Sequence, residues 1–146
     1  MVGLRMRNPQ KITKEVLGLL PKRISKPIYK ALKDDILFII PEKTHYITKL
    51  HDKMENSKSK FWINGLTILY DGQYFVYFSS TEYKKNKAEG CKILAHELTH
   101  VYQYLEKDEW IFENSLPFEE YDNDLVEKEA EHYGDYVKHK LKKLKL

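Results

Sequence analysis

The chain has 146 residues, 42% apolar and 32% charged, with 11 tyrosines and six phenylalanines. That composition suits a soluble globular protein with a heavily charged surface and excludes a disordered one. The net charge of +3 is unevenly spread: residues 1–33 carry nine Lys/Arg against one acid, residues 106–135 carry 12 acids against two lysines, and residues 138–146 add five lysines.

The single cysteine, Cys91, excludes an internal disulfide and a Cys-based zinc cluster. No apolar run follows Arg5 and Arg7, so no secretory signal is expected. Ile36–Ile40, the longest strongly apolar run, is too short to cross a bilayer. Cytoplasmic location and no membrane partner are the expectations. The basic residues 1–33 raise a nucleic-acid contact, but solvation or pairing with the acidic stretch is preferred, because no nucleic-acid motif accompanies them.

In chain order, Pro9–Leu20 predicts an amphipathic helix carrying Ile12, Val16, Leu19 and Leu20 on one side. Pro21 and Pro27 punctuate the next stretch, where Ile28–Leu32 predicts another helical turn or two. Ile36–Ile40 reads as a buried strand stopped by Pro41. From Glu42 to Glu55, Tyr46, Ile47, Leu50 and Met54 recur at helical spacing, with His45 and His51 on the exposed side.

Leu66–Tyr70 and Gln73–Phe78 read as strands joined by Asp71-Gly72, a dipeptide suited to a tight hairpin. A helix is expected from about Ala88 to about Leu105. Glu106–Asp124 reads as an acidic packed loop anchored by Trp110, Ile111, Phe112, Leu116 and Phe118. A last helix runs from about Leu125 to about Lys143, capped by Asp122 or Asp124. One domain over 1–146 is the reading, with a basic helical segment at 1–33 and a catalytic core at 61–143.

The chemistry concentrates in His96-Glu97-Leu98-Thr99-His100, an H-E-x-x-H motif. Histidines four apart stand one above the other on a helix, where both imidazoles can face one metal ion. Glu97 sits beside them as a base for water. Ile93, Leu94, Leu98, Val101 and Leu105 supply the packing such a helix needs.

A catalytic zinc takes three protein ligands. No His or Cys lies between Val101 and Glu131, so the third is sought among the carboxylates of the last helix. At about 100° per residue, Val126, Ala130, Tyr133, Val137 and Leu141 form one stripe. Glu129 falls inside its arc; Glu127 and Glu131 fall outside with Gly134 and Lys138. A glutamate among core-facing residues is costly unless paired or metal-bound, which selects Glu129. His132 lies across the helix from the stripe and is set aside.

His96-Glu-Leu-Thr-His100-Val-Tyr-Gln103, together with Glu127-Lys-Glu129-Ala130 downstream, resembles the gluzincin type of zinc metallopeptidase, and especially its small minigluzincin-like members. Gly65-Leu66-Thr67, opening a strand pair before the motif helix, is similar too. The resemblance covers roughly residues 61–137 and leaves residues 1–60 outside.

It implies an α+β fold with a compact zincin-like core: a small twisted sheet or β-hairpin packed on the motif helix, then a glutamate-bearing C-terminal helix. It also implies one catalytic Zn2+ held by His96, His100 and Glu129, with Glu97 as general base toward a metal-activated water. Peptides or proteins would be the substrates, with Gln73–Phe78 as an edge for an extended peptide. In larger gluzincins an acid four residues after the ligand glutamate orients a histidine; counted from Glu129, that position is Tyr133. Asp124 or a backbone carbonyl is a substitute, and Tyr121, His132, Tyr133 and Tyr136 are candidate transition-state donors. The alternative is a zinc-binding but latent or inactive protein acting as a binding module.

Overall fold

A computed structural model describes residues 9–106 and 121–144, the side chains of 121–124 excepted. The fold is α+β. Helices α1 (Pro9–Leu19) and α2 (Lys22–Lys33) lead into strand β1 (Leu37–Glu42), with α3 (Thr44–Glu55) after it. Strands β2 (Gly65–Tyr70) and β3 (Gln73–Ser79) come next, then the short α4 (Ser80–Lys85), α5 (Lys87–Glu106) and α6 (Tyr121–Leu144).

The sheet order is β1-β3-β2, with β1 parallel and β2 antiparallel to β3. Asp71 and Gly72 both have positive φ, 52° and 75°, as a two-residue turn with right-handed strand twist demands. Gln73–Phe78 is therefore the central strand, with partners on both sides, and not the edge expected from the resemblance. β2 is an edge, paired on one side only among the described residues. β1 runs on through Pro41 to Glu42, because an edge strand tolerates a residue without an N–H.

α5 is the axis of the molecule. Leu94, Ala95, Leu98 and Val101 are fully buried there in one cluster with Tyr74, Val76 and Phe78 of β3. Val16 and Leu17 of α1, Ile24 and Ile28 of α2, and Tyr133, Val137 and Leu141 of α6 belong to the same cluster.

Three further features differ from expectation. α2 begins at Lys22 and passes through Pro27, because Ile24, Ile28 and Ala31 supply a buried face at helical spacing. α6 begins at Tyr121, so Asp122 and Asp124 lie within the helix rather than capping it. On α3 the buried residues are Thr44, Ile47 and Thr48, and Tyr46 and Met54 point outward instead of into the core. The expected anchors at 110–118 lie outside the described residues. Among the described residues no helix is long and apolar enough to cross a membrane.

Candidate metal centre

The motif histidines sit mid-way along α5, their rings 5.0 Å apart. α6 packs beside them at Gly134, where an added Cβ would come within 3.0 Å of the Lys92 carbonyl oxygen and 3.6 Å of the His96 Cβ. A side chain there would crowd the Lys92 carbonyl, so glycine favours this close approach of the two helices.

That approach brings Glu127, not Glu129, to the histidines. Glu127 Oε1 lies 3.1 Å from His96 Nε2, and Oε2 lies 3.3 Å from His100 Nε2. The helical wheel chose wrongly because it equated the metal-facing side of α6 with its apolar stripe. A site open to substrate lies where the packed face meets solvent, and the Glu127 side chain is half exposed.

Glu129 has a different role. The Gln103 side chain, 1% exposed, donates from Nε2 to Glu129 Oε1 at 2.8 Å and to the Val126 carbonyl at 3.1 Å. Its Oε1 therefore faces His100 Nδ1, 2.8 Å away, and accepts that proton. The proton on Nδ1 leaves the Nε2 lone pair directed at the site.

His96 has a carboxylate behind it as well. Glu131 Oε1 is 3.5 Å from His96 Nδ1, while its Oε2 pairs with Lys92 at 3.2 Å. Glu131 is the residue four after Glu127, so the position expected at Tyr133 is filled once the ligand is reassigned. Tyr133 is buried in the core with its hydroxyl bonded by Arg23, and His132 is exposed against the rings of Tyr133 and Tyr136. The side chains of Tyr121 and Asp124 lie outside the described residues.

Glu97 is buried at 8% exposure, and its carboxylate is fixed from the sheet. The Thr67 hydroxyl lies 2.7 Å from Glu97 Oε1 and 3.1 Å from the Glu97 carbonyl oxygen. Gly65 leaves room for the other oxygen: an added Cβ would stand 2.6 Å from Oε2. Strand β2 thus holds Glu97 in place.

The donor set suits a metal ion. Ligand atoms from His96, His100 and Glu127 lie within 4.8 Å of one another. Tetrahedral coordination with bonds of about 2.1 Å spaces donors by about 3.4 Å, close to the contacts seen here. The surroundings favour the protonated form of both imidazoles. Burial opposes charge on His100, but its hydrogen bond to Glu127, the charges of Glu97 and Glu127 and the bond to Gln103 outweigh it and raise its pKa to about 9. His96 shifts upward against burial in the same way, through Glu127 and Glu97. Burial works upward on Glu127, yet its bonds to His100 and His96 hold its carboxyl well below the usual range.

The eCIS core domain family model matches residues 72–108, from the hairpin turn to just beyond α5. That match covers the motif helix and points to a zincin-like, metallopeptidase-associated family. No curated protein and no solved structure matches the chain.

Proposed function

We propose that the protein is a zinc-dependent peptidase in which Glu97 is the general base. What carries the reading is the joint placement of His96, His100 and Glu127 around one point, with the clamped carboxylate of Glu97 on the same helix. Held by His96, His100 and Glu127, zinc would supply a Lewis acid able to make water nucleophilic near neutral pH and to polarise a carbonyl. Glu97 accepts the water proton and passes it to the leaving amine. Thr67 keeps the carboxylate aimed while it does so. An extended peptide adds to the outer edge of β2, next to Glu97, by main-chain hydrogen bonds.

The test pairs digestion of a peptide library with metal analysis. Glu97→Gln is expected to lower cleavage by at least about 100-fold while zinc stays stoichiometric. Wild-type rates in that variant would remove Glu97 from the reaction. A wild-type protein that holds zinc and cleaves nothing would favour the latent binding module.

A further inference from the structure

We infer that the outer face of α3 and the adjoining loop form a docking surface for an anionic lipid bilayer. On α3, Tyr46, Leu50 and Met54 recur at the spacing of a buried stripe, yet Tyr46 is 55% and Met54 50% exposed. Lys49 and Lys53 lie on the same side and are exposed. The helix therefore presents an apolar line edged with lysines to solvent.

The neighbouring loop adds Phe61 and Trp62, 81% and 67% exposed. An adjacent pair so exposed is unusual for large apolar side chains. The loop is tied to α3 on both sides of the pair. The Ser59 amide donates to Asp52 Oδ2 at 3.1 Å, and the Ile63 amide donates to the Thr48 hydroxyl at 2.8 Å. The ring of His45 packs near both the Tyr46 and Trp62 rings, 5.6 and 6.4 Å from them. The aromatic pair is held beside the helix face in a built arrangement.

Charge selects the partner. Lys43, Lys49, Lys53, Lys58 and Lys60 are exposed around these apolar groups. Of the two acids between 43 and 62, Asp52 is engaged by Ser59. Lysine is depleted from the cores of protein interfaces, which disfavours a protein partner. At a bilayer the same mixture is favourable: Trp, Tyr and Phe settle at the headgroup level, and lysines reach anionic phosphates. Leu50 and Met54 gain nothing from stacked bases but do gain from acyl chains. The expectation of no membrane partner rested on the lack of a spanning segment, which peripheral docking does not require.

The experiment is vesicle co-sedimentation of the full chain. The vesicles are pure phosphatidylcholine, or phosphatidylcholine with about one-third phosphatidylserine. Binding is expected only to the anionic vesicles, and to weaken as salt rises. Lys58→Ala with Lys60→Ala should weaken it about 25-fold, and Phe61→Ser with Trp62→Ser at least about tenfold. Melting temperature and metal content should stay unchanged in both variants. Equal binding to both vesicle types, no binding at low salt, or binding to single-stranded DNA in place of vesicles would overturn the inference. None of these readouts depends on peptidase activity.

Discussion

Gln103 divides the roles of two glutamates that lie two residues apart on α6. Its amide oxygen takes the His100 Nδ1 proton and its nitrogen donates to Glu129, so Gln103 links Glu129 to the metal site. Glu127→Ala is therefore expected to abolish stoichiometric zinc binding. Glu129→Ala should keep the stoichiometry and weaken affinity by about 10–100-fold, the usual cost of losing a group that orients a ligand. Chelator competition with elemental analysis separates the two; metal loss confined to Glu129→Ala would restore the ligand expected from the helical wheel. A pH dependence arises from the same cluster. The His100 pKa is raised from 6.5 to about 9 in the metal-free fold, so the pairing stabilises that fold fully below 6.5 and less as pH rises through about 9. Glu127 is shifted downward, so its contribution is present above 4.5 and is lost only as pH falls through its lowered value. A zinc ion held by His96, His100 and Glu127 would have to displace the His100 proton. Its apparent affinity should climb about tenfold per pH unit per proton released, levelling near pH 9. Calorimetry at pH 7 in buffers of different ionisation enthalpy should register proton release; its absence would contradict the raised pKa.

Two glycines decide how elements meet at the site. Gly134 stands in one line with Glu127, Glu131 and Lys138, and that line is the face of α6 turned to the motif helix. A mid-helix glycine marking a close crossing was the available sequence signal for it, outranked by the apolar stripe. The apolar residues did predict the strands, the hairpin turn and the span of α5 to within a residue or two, because burial and turn chemistry are local. Which acid meets the metal depends on how two helices cross, and periodicity within one helix does not contain that. Gly134→Val should separate α5 from α6, costing about 1–3 kcal/mol in denaturant unfolding and weakening zinc binding. Gly65→Ala acts on a different group: its methyl would crowd the Glu97 carboxylate and leave the histidines untouched. Peptide cleavage should fall while zinc content holds. A Gly65→Ala protein as active as wild type would show that Glu97 tolerates displacement.

At the scale of the whole molecule, residues 9–33 of the basic segment are a wall of the core. Val16, Leu17, Ile24 and Ile28 are 0–1% exposed and share one buried cluster with the motif helix. Their lysines face outward: Lys14, Lys22, Lys26, Lys30 and Lys33 are all exposed. The lysines of 9–33 therefore stand on the outer side of two amphipathic helices. Arg23 adds a clasp between layers, donating to the hydroxyls of Tyr102 on α5 and Tyr133 on α6. A detachable nucleic-acid arm would leave zinc binding and folding intact when removed. A structural wall would not, because α5 would lose the apolar cover on that side. Ile24→Ala should cost about 2–5 kcal/mol in denaturant unfolding, as for other fully buried side chains truncated to a methyl. Deletion of residues 1–33 should abolish the cooperative transition and stoichiometric zinc binding together. A truncated chain that still melts cooperatively and holds zinc would show instead that the sheet, α5 and α6 suffice, and would return the segment to the status of an appendage.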